Sequence, residues 1–404
     1  GKTQEGVCPF VEKWIHDECR REYDRMDFLP PPFDVNPYTY NLFDGYFIDD
    51  VEDGEFEEMT ETERIEKIER ILIHLYYLSG CDNASYQFLL KVFAYKVKFP
   101  AILHKVNVVF RSVQGCGKNA FLDWVGNKIL GNKYYACSAN SDDFLGKFNT
   151  AIKGKLLVCF NEMNGANGYA YAAKIKELAT EGEVFHEKKG IDRKKIKNCG
   201  LFVFASNNRN PVKVEIGDRR FFIVECSDRV LYIPMYFEDL FIDLEDPCVA
   251  KCFTWYCRNI VKVEEDFNFK KERPITKVYK ELQNKNKSII VKFSEWYSIA
   301  FDNDDSQKYN MNQLWDLFKE FKEYTRAKFS YDFDGFRDSI NEYCYTCSEE
   351  NLGSRDFKKI IKKSKNSTYV YRFNKVRMKA LLDLYDNDND LIFSDSEVET
   401  DNED

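Results

Sequence analysis

No apolar run in this chain approaches the length of a membrane span, and its N-terminus carries no signal peptide. On that reading an intracellular protein without a membrane span is expected. A disulfide framework is excluded. The thirteen cysteines are odd in number, scattered, and mostly set inside apolar runs, as reduced thiols are in a cytosol-like compartment. Cys344-x-x-Cys347 has neither a second C-x-x-C pair nor a nearby histidine, which argues against structural zinc. Cys248, Cys252 and Cys257 recur at helical spacing beside Phe253 and Trp255 and read as packing. Lys and Arg are absent from Asp386–Asp404, where nine acids stand. Without that tail acids and bases balance at 59 each, so local basic clusters matter more than the net charge of −9. The chain begins with Gly1 rather than Met, and so reads as a piece of something longer.

What is present is ample core material. Hydrophobic residues make up 44% of 404 residues, with 34 Phe and 25 Tyr, enough for two or three domains. The stretch that organises the rest is Val106–Gly131. Val106, Val108, Val109 and Phe110 predict a buried strand. It breaks into Gln114-Gly115-Cys116-Gly117-Lys118-Asn119, then into a helical pattern with Phe121, Leu122, Val125 and Ile129 on one face, and Gly131 at the C-cap position. Strand, Gly-rich turn, Lys, helix is the context a phosphate-binding loop needs. Glycines let backbone N–H groups close around phosphate oxygens, the helix N-terminus adds positive potential, and a lysine reaches the outer phosphates. Two positions depart from G-x-x-x-x-G-K-[ST]: Ser112 stands at the first Gly and Asn119 at the hydroxyl residue. An amide oxygen can still serve Mg²⁺.

Upstream, residues 1–60 lack periodicity apart from a short helix suggested by Val11, Trp14 and Ile15, the break at Pro30-Pro31-Pro32, and an aromatic turn over Tyr40–Gly45. The acidic segment Asp49–Glu58 reads as a solvated loop. Thr60 and Glu63 form a capping box for an amphipathic helix through Ile65, Ile68, Leu72, Leu75 and Leu78, followed by a helix over Ser85–Val97. His74, on an apolar helix, reads as a packed core residue.

Downstream, Lys155–Phe160 predicts a second buried strand ending in Asn161-Glu162, where a carboxylate can polarise water directly or through Mg²⁺. Gly182 and Gly190 permit a hairpin whose tip is basic (Lys188, Lys189, Arg193, Lys194, Lys195, Lys197). A third strand, Leu201–Ala205, ends in Ser206-Asn207-Asn208, and Arg219-Arg220 precede a fourth, Phe221–Val224. A strand-edge Arg can act as a finger across a subunit boundary. The intervals Lys118 to Glu162 and Glu162 to Asn207 are 44 and 45 residues.

The segments QGCGKN (Gln114–Asn119), LLVCFNE, KELATEGEVFHEKKG, FASNN and GDRRFF, in this order, resemble the superfamily 3 helicases of viruses and phages, and within them the primase-helicase proteins. The similarity spans about residues 35–230. It implies an α/β, AAA+-like P-loop core with a parallel sheet, an N-terminal helical unit and a C-terminal winged-helix-like domain. It further implies an ATP-driven homo-hexameric ring moving on single-stranded DNA at a host replication site, with an upstream or separate primase as partner and ATP with Mg²⁺ as cofactors. By position Lys118 is then the phosphate lysine, and Gln114–Asn119 the nucleotide loop. Glu162 is the catalytic carboxylate, Asn207 the sensor, and Asn119, Asn161 and Glu162 the Mg²⁺ side. Lys188 or Lys189 is the DNA contact, and Arg219 or Arg220 the finger. Expected divisions are a lead-in at 1–60, helical unit at 61–100, core at 101–265, linker at 266–290, winged-helix-like unit at 291–385 and disordered tail at 386–404.

In the C-terminal part, Lys270–Lys287 reads as loop. Leu314, Leu317, Phe318, Phe321 and Tyr324 predict one helix, Phe333, Phe336 and Ile340 another, and Phe357, Ile360 and Ile361 a third, before a basic turn and strand over Lys362–Phe373. Two rival functions stay open: a replication-initiation scaffold that binds nucleotide with little or no unwinding activity, supported by Ser112, Asn119 and Asn161, and a P-loop nucleotide kinase.

Overall fold

A computed structural model describes residues 10–147, 149–163, 165–188, 191–215, 217–300, 309–325, 332–340, 358–361 and 368–371. Cys344, Cys347, Lys189 and the tail Asp386–Asp404 lie outside the described residues. Two compact units emerge: Gly1–Lys213 with Arg219–Lys280, and Val214–Asp218 with Glu281–Asp404.

The first unit is a mixed α/β structure around a five-stranded sheet. Its strands are β1 (Asn107–Arg111), β2 (Tyr135–Ser138), β3 (Leu157–Asn161), β4 (Leu201–Ser206) and β5 (Phe221–Glu225). They run in the order β2-β3-β4-β1-β5, and every neighbouring pair is parallel. Continuous apolar runs such as Val108–Phe110, Leu157–Phe160 and Leu201–Ala205 are buried along their length, as strands covered on both faces must be. Phe160 and Phe204 stack at 4.4 Å on adjacent strands. Because all five strands are parallel, the C-terminal ends of β1, β3 and β4 share one edge, the edge where such sheets receive ligands.

The capping box is present: Thr60 Oγ1 accepts from the Glu63 N–H while Glu63 accepts from the Thr60 N–H at 2.8 Å. The helix it starts is not continuous. It is split into α1 (Glu61–Lys67) and α2 (Glu69–Leu78) at Ile68, whose φ of −102° and ψ of 6° leave the helical region. Ile68, Ile71, Leu75 and Leu78 are all buried, so the apolar spacing runs through the break without marking it. α3 (Asn83–Lys98) follows, and α4 (Lys118–Trp124) leads into a π-helical stretch, Val125–Gly131. The acidic segment expected as a loop holds a 3₁₀ turn, Phe47–Asp50, and a helix, Gly54–Glu58. Asp53 caps that helix by accepting from two backbone N–H groups, and carboxylates suit a helix N-terminus. Lys67 pairs with Glu55 at 2.9 Å, and Arg258 with Asp49 at 2.8 Å. The hairpin Glu183–Lys188/Ile191–Lys197 forms where expected, as its own two-stranded sheet. Later come α5 (Tyr236–Glu245) and α6 (Pro247–Asn259), in which Cys248, Cys252 and Cys257 are buried as packing residues.

The Lys-rich stretch read as loop contains helices Phe269–Glu272 and Lys277–Lys285. Asn268 caps the first, and Val278, Tyr279 and Leu282 bury one face of the second. In the second unit, helices Ile289–Ala300, Met311–Thr325 and 333–340 enclose a ring-rich core of Phe293, Tyr297, Leu314, Phe318, Phe321 and Phe336. Ile360 and Ile361, expected on a helix, lie in the strand Lys358–Ile361, paired antiparallel with Thr368–Tyr371.

Candidate functional site

The loop after β1 depends on two left-handed glycines, Gly115 at φ +90° and Gly117 at φ +78°. At Gly117 a side chain is also excluded by space, since a Cβ there would lie 2.6 Å from His74 Cε1 and 3.0 Å from Phe237 Cε1. α4 starts at once with Lys118, whose side chain is buried. Its ammonium donates to Ser112 Oγ and, at 3.0 Å, to Asn207 Oδ1. Ser112, the departure at the first glycine position, therefore holds the lysine. The other departures also meet: Asn119 Nδ2 donates to Asn161 Oδ1 at 3.0 Å, while Asn119 Oδ1 is buried without a hydrogen-bond partner. Glu162 follows with φ +57°, a left-handed conformation uncommon outside glycine.

These residues surround a cavity of about 380 Å³. Gln114, Gly115, Cys116, Gly117, Lys118 and Asn119 line it from the loop, and Asn161, Glu162 and Asn207 from the ends of β3 and β4. Phe237 and Phe241 close it from α5. Such an arrangement can surround an anion with backbone N–H groups and one buried cation.

Other expected residues are not brought to the cavity. Arg219 and Arg220 precede β5, at the edge opposite the loop, where the Arg220 carbonyl accepts from the Asn107 N–H at 2.7 Å. Five residues of strand, roughly 16 Å, separate the two edges. Lys188 ends the first hairpin strand, and the described residues that line the cavity include none from the hairpin.

Three contributors went unrecognised in the sequence. His74 is buried, as a packed residue should be, but it packs behind the loop: its Nε2 lies 3.3 Å from the Gly117 carbonyl and its Nδ1 3.0 Å from the Tyr236 hydroxyl. A carbonyl only accepts, so Nε2 carries the proton and Nδ1 accepts from Tyr236. Burial pushes the imidazole pKa down to about 4, which keeps the ring neutral. Phe237 and Phe241 belong to a helix some 120 residues beyond the loop, and only their i, i+4 spacing hinted at a shared face.

Residues 110–220 match a family model described as a family of unknown function (DUF5906). A DNA primase-polymerase of Nitratiruptor phage NrS-1 is 27% identical over 123 residues, covering 30% of this chain and 17% of that protein. The match thus spans less than a fifth of that curated relative. Two apo structures of the NrS-1 C-terminal region align with TM-scores of 0.54, at 18% and 17% identity, covering 86% of this chain and 84% and 85% of theirs. At that identity the likeness is one of fold.

These findings correct the helicase expectation. The relative in sequence is a primase-polymerase, and the matching folds come from the same phage protein. The superfamily 3 assignment, the ATP-hydrolysing helicase activity and the hexameric ring on single-stranded DNA lose their support. So does the separate primase partner, because the relative's own name combines priming with polymerisation. What misled was the loop and strand-end order, a short-range pattern that does not specify the activity of the protein that carries it.

Proposed function

We propose that this chain is a nucleoside-triphosphate-binding module of a phage-type replication protein of the primase-polymerase kind, a nucleotidyltransferase acting inside the host cell. Its own part is to hold nucleotide, in the manner of a replication scaffold. The observation that carries this is the buried Lys118 ammonium, fixed between Ser112 and Asn207 beneath a loop with two left-handed glycines. A neutral Asn119–Asn161 amide pair lies beside it, which favours retention over rapid turnover. The finer architecture of the proposal is a P-loop, AAA+-like core with a winged-helix-like C-terminal unit. The likeness to the primase-polymerase supports the replication context.

ATP with Mg²⁺ belongs to the same proposal. The buried, unpartnered Asn119 Oδ1 fits a cation-bound ligand, because an acceptor left unpaired in a polar cavity has capacity to spare. Asn119 and Glu162 would hold the ion, with Asn161 orienting Asn119; the ion would offset phosphate charge. Among the described residues no group of three or more His, Cys, Asp or Glu could hold a metal by itself, so an ion there would draw further ligands from the phosphates and from water. The hairpin that carries Lys188 is assigned the nucleic-acid strand within this reading.

The test is thermal or denaturant unfolding of the chain with Mg²⁺–nucleoside triphosphate. At a hundredfold excess over Kd, binding stabilises by about 2.7 kcal/mol. Lys118→Ala should cut that gain to about 0.4–1.4 kcal/mol at the same ligand concentration. Stabilisation undiminished by Lys118→Ala, or none in the wild type, refutes the assignment.

A further inference from the structure

The polar side chains that line the cavity come from the loop, the start of α4, or the ends of β3 and β4. α5 contributes only two, and both are phenyl rings, Phe237 and Phe241. Phe237 abuts the loop itself, 3.0 Å from where a Cβ on Gly117 would stand. Phe241 lies one helical turn further out, its centroid 6.3 Å from that of Phe237 and the two planes 36° apart. It is 52% exposed, although α5 has a buried face in Tyr236, Leu240 and Leu244. An aromatic stripe therefore begins at the loop and runs to the cavity mouth. One imidazole ties the loop to this helix: His74 donates to the Gly117 carbonyl and accepts from Tyr236, the residue before Phe237.

We propose that Phe237 and Phe241 form a nucleobase platform, and that the site takes purine and pyrimidine triphosphates alike. This rests on the phosphate-loop reading above and adds the substrate class. Every base has a π-face, so stacking on a phenyl ring is tolerant of base identity. Discrimination needs hydrogen bonds to base edges, and α5 places no such group in the lining. Base tolerance suits a protein that handles all the substrates of a template-directed polymerase.

The experiment compares the affinities of ATP, GTP, CTP, UTP and inorganic tripolyphosphate, by titration calorimetry on the full chain. Phe241 is exposed, so its replacement leaves the core intact. The four nucleotides should bind within about tenfold of one another. Phe241→Ala should weaken all four by about 5- to 100-fold, the range for one lost stacking contact. Tripolyphosphate should bind that variant as it binds the wild type, and Phe241→Trp should restore the nucleotides. A Phe241→Ala variant with wild-type nucleotide affinities, an equal loss for tripolyphosphate, or a hundredfold preference for one base overturns the platform. If tripolyphosphate binds in a Lys118-dependent way and nucleotides bind no tighter, the platform alone falls. If neither binds, the phosphate-loop reading falls and the platform with it.

Discussion

On its cavity side the Gln114–Asn119 segment presents a buried ammonium and an amide with an unpartnered oxygen, and the Glu162 carboxylate lines the same cavity from the end of β3. On its core side the same loop rests on a neutral imidazole, which is held in turn by the Tyr236 hydroxyl. The cavity side has polar capacity in reserve; on the core side both imidazole nitrogens are engaged. The contrast teaches how a flexible glycine loop can be ready for a ligand. Ordering it on arrival would cost roughly 1–2 kcal/mol per backbone residue, and the His74 contact meets part of that cost in advance.

Gly117→Ala breaks both sides at once and should have the largest effect. A Cβ at φ +78° is strained, and it collides with His74 at 2.6 Å. Nucleotide affinity should fall by about 100-fold or more, read as loss of ligand-induced stabilisation. Near-normal binding by this variant would mean that the loop is not held from behind.

Lys118→Ala breaks the cavity side alone. A charged hydrogen bond contributes about 1.5–3 kcal/mol, so affinity should drop about 10- to 100-fold. The empty protein should lose little stability, because the ammonium is a buried charge whose removal also relieves desolvation. Denaturant melts without nucleotide separate this from Gly117→Ala, which should destabilise the empty protein too.

His74→Gln breaks the core side alone, and pH exposes it. The folded pKa, held near 4 by burial, lies below the unfolded value near 6.5. The unfolded chain therefore takes up the proton first as pH falls. Stability is complete above about pH 6.5 and declines toward pH 4, by at most about 3 kcal/mol. His74→Gln lacks this contribution, so the wild type's advantage should shrink as pH falls through that window. His104, also depressed by burial, titrates in both proteins and cancels in the difference. Parallel stability profiles for the two proteins would rule out the neutral imidazole as the support.

The cavity side was legible in the sequence and the core side was not, for physical reasons. Gln114–Asn119, Asn161-Glu162 and Asn207 sit at strand ends announced by apolar runs, so short-range pattern located them. Their meeting, Lys118 with Asn207 and Asn119 with Asn161, follows from the parallel order that puts β4 beside both β1 and β3. His74 and α5 reach the loop only through tertiary packing, across 43 residues to Gly117 and 162 to Tyr236. Apolar periodicity also failed where capping decided the outcome, as at Asp53 and Asn268, and where a helix broke without changing its buried face, at Ile68. The family resemblance was least informative about function. It rested on the order of five short segments, from QGCGKN to GDRRFF, and such an order does not specify an activity.

The smallest expected effect belongs to Asn119→Ala, and its sign is what counts. Asn119 Oδ1 is a buried acceptor with no partner, which costs the empty protein on the order of 1 kcal/mol or more. Asn119→Ala removes that cost together with one neutral hydrogen bond to Asn161, a contribution of similar size. Stability without nucleotide should therefore stay within about 1 kcal/mol of wild type, or rise slightly. If the oxygen is reserved for a cation carried by the triphosphate, the effect appears elsewhere. Removing Mg²⁺ should weaken nucleotide binding by the wild type several-fold, about 1 kcal/mol, and should matter less to the variant. The measurement is the difference between Kd values with Mg²⁺ and with chelator, in the two proteins. An unchanged difference would make Asn119 Oδ1 a packing defect of the loop and leave Glu162 as the candidate for the ion.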